Sequence, residues 1–129
     1  MLDTNIVSGL MRLGQGKLWN RMHRFGAHHI GISIISAAEL RFGAEAKGAI
    51  RLSEEVDDFL RGIAVLPFAE PADMHYARLR THLKRAGTPI GPNDLFIAAH
   101  ALALDLTLVT DNIREFARVP GLRVENWLD

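Results

Sequence analysis

Short apolar runs alternate along the chain with longer segments in which apolar residues recur at helical spacing. Continuous short runs are typical of buried strands, and apolar residues three or four positions apart are typical of amphipathic helices. We predict strands at residues 1–3, 29–33, 63–66, 106–110 and 122–124. We predict helices at residues 4–13, 18–25, 36–47, 49–61, 71–85 and 94–104. Strands that alternate with helices indicate an α/β fold, with a central parallel sheet and helices on both faces.

The helix predicted at residues 94–104 differs from the others because it is apolar on almost every side. A helix without a polar stripe is buried on most of its surface. The helix predicted at residues 36–47 also has a distinctive start, since Ser36 and Glu39 have the spacing of a capping box. We therefore expect one buried helix after residue 93 and one helix that begins at Ser36.

The composition fits one soluble domain, residues 1–129. With 129 residues, of which 48% are hydrophobic, the chain is large enough to bury a single core. No apolar stretch is long enough to span a bilayer or follows a basic start, so we expect a cytoplasmic protein with no membrane partner. Cysteine is absent, which excludes thiolate metal sites and cysteine nucleophiles. The formal net charge is zero, so nucleic acid would have to bind at a local basic patch.

Acidic residues stand where predicted strands end or predicted helices begin. They are Asp3, Glu39, Asp94 and Asp111. The carboxyl ends of parallel strands share one edge of a sheet, and open α/β sheets bind their ligands there. Carboxylates that meet in one pocket need a positive partner, and their hard oxygen atoms suit Mg²⁺ or Mn²⁺. Metal-dependent chemistry on a phosphate ester is therefore our first hypothesis.

Each of these acids also has a local structural explanation. Asp3 can cap the helix that follows it. Glu39 fits the capping box, and the dipole of the last long helix stabilises Asp94. These explanations do not account for the apolar neighbours of the acids, because a carboxylate that enters a buried helix needs a partner. We therefore favour one shared site over separate local roles.

A set of motifs stands in order along the chain. They are Leu2-Asp3-Thr4-Asn5, Ser36-Ala37-Ala38-Glu39-Leu40, Gly91-Pro92-Asn93-Asp94-Leu95-Phe96-Ile97-Ala98-Ala99 and Leu108-Val109-Thr110-Asp111-Asn112, followed by Arg114-Glu115-Phe116 and Leu122-Arg123-Val124-Glu125-Asn126-Trp127. Together they resemble the PIN-domain ribonucleases, and most closely the VapC toxins of bacterial toxin–antitoxin pairs. The resemblance extends over essentially the whole chain and implies a single PIN-like α/β domain.

The resemblance implies a catalytic site that binds Mg²⁺ or Mn²⁺. Its core carboxylates are Asp3, Glu39 and Asp94. For the fourth acid we name Asp111, although the family often has an acid where this chain has Asn112, so either residue can face the metal. The groups implied to orient the carboxylates and water are Asn5, Thr110 and Asn112. In such a site the metal activates a water molecule for attack on the phosphodiester, and no protein nucleophile is required.

The resemblance also implies a substrate and partners. Relatives of this type cut structured RNA, either transfer RNA, including initiator tRNA, or ribosomal RNA. A cognate antitoxin neutralises them, commonly in a groove formed by the early helices and the helix at residues 49–61. We expect a homodimer as well. Basic side chains close in sequence to the acidic motifs are our candidates for RNA contact. They are Arg41, Lys84 and Arg114.

Other functions fit parts of the pattern. A receiver-like phosphoacceptor module also gathers acids and Mg²⁺ at a sheet edge, but it requires a lysine after a later strand, and none follows Lys84. An inactive PIN fold that binds RNA or assembles with a partner stays open because of Asn112. A histidine metal site is disfavoured, since adjacent His28 and His29 would point to opposite faces of the predicted strand.

Overall fold

The computed structural model of the protein describes residues 1–13 and 16–128. The helices are α1 (Thr4–Leu13), α2 (Lys17–Phe25), α3 (Ile34–Lys47), α4 (Ile50–Arg61), α5 (Ala72–Ala86), α6 (Pro92–Leu104) and α7 (Ile113–Phe116). The strands are β1 (Gly31–Ser33), β2 (Ala64–Leu66), β3 (Leu108–Val109) and β4 (Val124–Glu125). None of the helices described is long and apolar enough to cross a membrane.

The strands form a parallel arrangement with Leu2 at its centre. Leu2 bridges Ile32 of β1 on one side and Val109 of β3 on the other, β2 pairs outside β1, and β4 pairs outside β3. Leu2 N–H donates to the carbonyl of Gly31 at 2.9 Å, and Asp3 N–H donates to that of Val109 at 2.8 Å. The predicted α/β class and the short first strand are confirmed, and that strand occupies the middle of the sheet.

Both faces of the sheet are covered by helices. Successive residues of a strand point to opposite faces, so Leu2 and Val109 belong to one core while Met1 and Leu108 belong to the other. Helices α1 to α4 supply the first core, whose members include Ile6, Val7, Leu10, Leu18, Leu40, Val56 and Leu60. Helices α5 to α7 supply the second, whose members include Leu79, Leu83, Leu95, Ile97, Ala98 and Phe116.

Two predicted boundaries around β1 are wrong. The strand begins at Gly31 rather than residue 29, because Ala27–His29 form a 3₁₀ turn. His28 and His29 therefore do not lie in a strand, and the prediction that they face opposite sides of one is wrong. Helix α3 begins at Ile34, with Ser33 Oγ accepting a hydrogen bond from Ile35 N–H at 3.1 Å. The helix start is thus satisfied at Ser33, and the predicted capping box is not formed.

The last strands are shorter than predicted, at 108–109 and 124–125. Helix α6 is buried along most of its length, as its composition predicted. It begins at Pro92, whose fixed φ suits the first position of a helix. This early start brings Asn93 and Asp94 into the first turn, directly above the sheet edge.

Candidate active site

The acids predicted from the sequence lie together at the carboxyl edge of the sheet. Asp3 follows the central strand position, and Asp111 lies just beyond β3. Glu39 lies in α3, which begins directly after β1, and Asp94 lies in the first turn of α6. The charges of Glu39 and Asp111 act on Asp3, and those of Asp3 and Glu39 act on Asp94. Strands that end side by side have gathered carboxylates from separate parts of the chain.

Asp3 is almost completely buried, with 3% of its surface exposed. Its Oδ2 accepts a hydrogen bond from Thr110 Oγ1 at 2.8 Å, and its Oδ1 accepts one from Thr4 N–H at 2.8 Å. Burial raises the pKa of Asp3, these two hydrogen bonds lower it, and the charges of Glu39 and Asp111 raise it. Thr110 and Thr4 together fix the direction in which this carboxylate points.

Glu39 ties three helices together. Its Oε1 accepts a hydrogen bond from Thr4 Oγ1 at 2.6 Å, and its Oε2 accepts one from Asn93 Nδ2 at 3.2 Å. Thr4 begins α1 and Asn93 lies at the start of α6, so the carboxylate of α3 is held by both neighbouring helices. Neither Thr4 nor Asn93 was predicted as a site residue; for Asn93 the sequence signal was a polar residue directly before Asp94.

A further acid, which sequence reasoning missed, is Glu115 of the short helix α7. Glu115 Oε1 accepts a hydrogen bond from Gly91 N–H at 2.8 Å, and its Oε2 accepts one from Asn112 Nδ2 at 2.6 Å. Its carboxyl group is also hydrogen bonded with that of Asp94. The sequence feature that could have indicated Glu115 is its position four residues after Asp111, in the short helix that follows.

Asp94 and Glu115 are two carboxyl groups in contact, and they repel when both are ionised. Burial, followed by the charge of Glu115 and the hydrogen bond with it, raises the pKa of Asp94 to about 7. The charges of Asp3 and Glu39 act in the same direction. The pair therefore retains a proton below neutral pH, and a cation that binds there must displace that proton.

Asn112 is hydrogen bonded to both Glu115 and Thr110. Its side chain donates to Glu115, and its backbone N–H donates to Thr110 Oγ1 at 3.0 Å. Asp111 is exposed beside Asp3, and Asn5 is exposed on α1. We call the following residues the acidic cluster, with Asp111 at its rim: Asp3, Glu39, Asp94 and Glu115. Asn112 stands where the family often has an acid, and Glu115 supplies a carboxylate beside it.

Comparison with known proteins places this arrangement in a family. A model of the PIN domain family matches residues 1–122. Ribonuclease VapC2 of Rickettsia felis is 39% identical over 129 residues, which cover 98% of this chain and 96% of the relative. The chain is a VapC-type PIN-domain protein. The tRNA(fMet)-specific endonuclease VapC of Salmonella typhimurium is 38% identical over 128 residues, covering 98% of this chain and 96% of that relative.

A solved structure shows the same VapC-type fold. It is the crystal structure of DNA-bound VapBC from Salmonella typhimurium, with a TM-score of 0.93 and 37% sequence identity. The match covers 98% of this chain and 96% of that chain. The resemblance inferred from the sequence motifs and the PIN-like architecture are therefore confirmed.

The donor atoms of this VapC-type site fit a hard divalent cation. The acidic cluster offers carboxylate oxygens, which Mg²⁺ and Mn²⁺ prefer. Burial and, to a lesser extent, the charges of neighbouring acids raise the pKa values of Asp3 and Asp94, and a bound cation would offset both effects. Hydrogen bonds hold Asp3, Glu39 and Glu115, and within residues 1–13 and 16–128 no three acidic or histidine side chains surround a common point. Closing around a cation therefore requires side-chain rearrangement.

The basic residues proposed for RNA contact lie in different surroundings. Arg41 forms an ion pair with Asp57 of α4. Lys84 is exposed near the end of α5, where it lines a cavity of about 540 Å³ together with Arg80. Arg114 is exposed on α7, next to Glu115 in the chain. Of these three described residues only Arg41 is paired with an acid, so it is the weakest candidate.

Proposed function

We propose that the chain is the ribonuclease toxin of a toxin–antitoxin pair, and that it cleaves structured RNA with initiator tRNA as its substrate. One observation carries the proposal: a VapC-type PIN fold gathers the acidic cluster at a single sheet edge. The relative from Salmonella typhimurium that is named a tRNA(fMet)-specific endonuclease supports the choice of substrate. The match to the PIN family excludes the receiver-like alternative.

The acidic cluster would hold Mg²⁺ or Mn²⁺, with Asp111 at the rim. When bound, the cation polarises the phosphodiester and lowers the pKa of water toward neutrality. The protein's own groups prepare the site for this. Thr110 and Thr4 orient Asp3, Asn93 orients Glu39, and Asn112 orients Glu115. The pair of Asp94 and Glu115 holds a proton that it can release near neutral pH.

A cognate antitoxin is the proposed protein partner, as the match to a VapBC structure supports. A cavity of about 330 Å³ lies between α1, α2 and α4, and its apolar lining suits the side chains of such a partner. The lining includes Leu10, Trp19, Met22, Phe59 and Ile63. A basic antitoxin side chain, most simply an arginine, would neutralise the acidic cluster in place of the cation.

We further propose that the protein acts in the cytoplasm and forms a homodimer. Exposed apolar side chains on α3 support an interface between copies, because Ile34 is 43% exposed and Phe42 is 73% exposed. Exposed large apolar side chains that share one element are a feature of protein interfaces. Measuring the mass of the purified protein in solution tests the dimer, and a monomer at micromolar concentration would contradict it.

The test of the proposed function is cleavage of purified initiator tRNA by the wild-type protein and by Asp94→Asn. We expect cleavage by the wild type with MgCl₂ or MnCl₂, none with EDTA, and none by Asp94→Asn. In cells that express each protein, mapping of RNA 5′ ends should show new ends only with the wild type. A wild-type protein that cleaves neither initiator tRNA nor total RNA with either cation would leave the inactive PIN fold as the better description.

A further inference from the structure

A groove leads from the acidic cluster between α1, α3 and α4. It has a volume of about 360 Å³, and Glu39 forms part of its lining. Among the five cavities described for this chain, the groove is distinguished by containing a residue of the acidic cluster. A chain that binds with one of its phosphates at the acidic cluster can therefore continue into this space.

The groove runs along two helices that start side by side. Helices α1 and α3 follow Leu2 and β1, which are neighbours in the sheet, and Thr4 at the start of α1 is hydrogen bonded to Glu39 of α3. Lys47 follows Glu39 by eight residues, which corresponds to about 12 Å along a helix axis. Arg12 lines the groove from the last turn of α1. One end of the groove is thus acidic, and the part lined by Lys47 and Arg12 is basic.

The charges in the groove suit a polyanion. Neither Arg12 nor Lys47 belongs to an ion pair among the described residues. Glu55 also lines the groove, but Arg51 balances it at 3.5 Å. Within the described part of the chain, Arg12 and Lys47 therefore leave two positive charges without an acidic partner at the basic part of the groove. An extended RNA strand can span the distance from there to the acidic cluster.

The shape of the groove depends on Gly43 of α3. Gly43 lines the groove, and a Cβ added there would meet no atom within 4 Å. A glycine in the middle of a helix makes that helix less stable than an alanine would. Because Gly43 has no side chain, nothing projects from α3 into the groove at this position, and the space between Glu39 and Lys47 stays open.

We infer that this groove binds the RNA strand that flanks the cleaved phosphodiester, with Arg12 and Lys47 contacting its backbone phosphates. The inference rests on the proposed ribonuclease function and adds the course of the substrate. Contacts to phosphates position a nucleic acid without reading its sequence. Arg12 and Lys47 therefore hold the strand in register, and the selection of the cleavage site belongs to other parts of the surface.

The experiment measures binding of initiator tRNA to the full chain carrying Asp94→Asn, over a range of KCl concentrations. In this background Arg12→Gln and Lys47→Gln should each weaken binding and reduce the slope of log K against log[salt] by about 0.7–0.9, the value for one lost phosphate contact. The control is Arg61→Gln, which removes a positive charge from the last turn of α4, where Arg61 pairs with Asp58 and lines a different cavity. Its slope should equal that of the parent.

A steric pair of variants tests the path independently. Gly43→Leu fills the groove, whereas Ala46→Leu adds the same side chain to α3 at an exposed position outside it. Gly43→Leu should weaken tRNA binding at least about fivefold with an unchanged melting temperature or a higher one, and Ala46→Leu should bind like the parent. In otherwise wild-type protein, Arg12→Gln and Lys47→Gln should raise KM with little change in kcat.

The outcomes separate this inference from the proposed function. If the wild type cleaves initiator tRNA while Arg12→Gln, Lys47→Gln and Gly43→Leu keep the parent's affinity and salt slope, the groove assignment is overturned and the ribonuclease function stands. Equal weakening by Arg61→Gln would mean that charge loss at any helix end suffices, which also overturns it. Unchanged tRNA binding together with loss of a protein that copurifies with the wild type would assign the groove to a protein partner.

Discussion

Two polar clusters connect α6 with the β1–α3 junction, and they differ in charge: one is a neutral hydrogen-bonded pair and the other is a group of carboxylates. In the first, Ser33 Oγ lies 2.7 Å from Nδ1 of His100, and both residues are fully buried. Burial lowers the pKa of His100, so the ring stays neutral. The second is the acidic cluster, in which burial and like charges raise the pKa of Asp94 to about 7. The hydrogen bond of the neutral pair stabilises the packing of α6 on this junction, whereas repulsion among the carboxylates of the acidic cluster opposes it.

The contrast shows how stability and function are divided in this fold. A neutral, hydrogen-bonded buried pair stabilises the folded state by a modest amount and leaves no charge uncompensated. Neighbouring carboxylates destabilise the metal-free protein, and a site of this kind is retained because its chemistry needs the charges. Substitutions in the acidic cluster should therefore affect activity, and substitutions in the neutral pair should affect stability.

The largest effect should follow removal of one charge from the acidic cluster. We expect Asp3→Asn, Glu39→Gln and Asp94→Asn each to reduce RNA cleavage by a factor on the order of 10²–10³ or more, because each loses a carboxylate that would hold the cation. The melting temperature in metal-free buffer should stay equal or rise, as like-charge repulsion is relieved. Kinetics with Mg²⁺ and Mn²⁺ and thermal unfolding with EDTA measure both quantities. Full cleavage by Asp94→Asn would refute the site assignment.

Glu115 and Asp111 should differ, which sharpens the comparison within the cluster. Glu115→Gln keeps the bond to Gly91 N–H but removes the charge next to Asp94, and we expect a loss of about 10–100-fold in kcat/KM. Asp111→Asn should cost only a few-fold, since Asp111 is exposed at the rim. The two variants are assayed in parallel on the same tRNA. Complete loss in Asp111→Asn would show that Asp111 binds the cation directly.

The neutral pair should give the reverse pattern. We expect His100→Leu to lower the free energy of unfolding by about 1–3 kcal/mol, because it removes the hydrogen bond between His100 and the buried hydroxyl of Ser33. The cleavage rate per folded molecule should change by no more than a few-fold. A double-mutant cycle with Ser33→Ala isolates the pair from the role of Ser33 at the start of α3. A coupling free energy near zero would mean that the 2.7 Å contact contributes nothing to stability.

The smallest effect concerns the pH dependence of stability without metal. The folded protein keeps a proton on Asp94 up to about pH 7, whereas the unfolded chain loses it near the ordinary value of 3.8. The free energy of unfolding should therefore fall as pH rises from about 4 to 7 and level off above that. Allowing for solvent screening of this partly exposed group, we expect a fall on the order of 1–2 kcal/mol.

The pH effect is measured as the difference between the wild type and Asp94→Asn in denaturant titrations with EDTA from pH 5 to pH 8. Other titrating groups are common to both proteins, so their contributions largely cancel in the difference. The variant should gain relative to the wild type as the pH rises. Parallel curves for the two proteins would show that the pKa of Asp94 is not raised in the folded state.

The amino-acid pattern predicted most of the fold, and it singled out Asp3, Glu39 and Asp94, whose charges act on one another in the structure. Helical spacing and short apolar runs are local properties, and they predicted α1 to α6 to within a few residues. The same local signals misplaced the starts of β1 and α3, because Ser33 and Ser36 are both reasonable caps and only packing selects between them. In the structure Ser33 caps α3 and Ser36 is buried inside it.

The sequence by itself determined that Asp3 and Asp111 follow strand positions and that Asp94 lies near a helix start, because such local positions are set by residues close in the chain. Only the tertiary structure decided what those acids contact. Glu39 meets a residue 54 positions away, Asp3 meets one 107 positions away, and Glu115 enters the site through Gly91, 24 positions away. Arg41 pairs with Asp57 for the same reason. Such contacts depend on how helices pack across a sheet, and no local spacing encodes them.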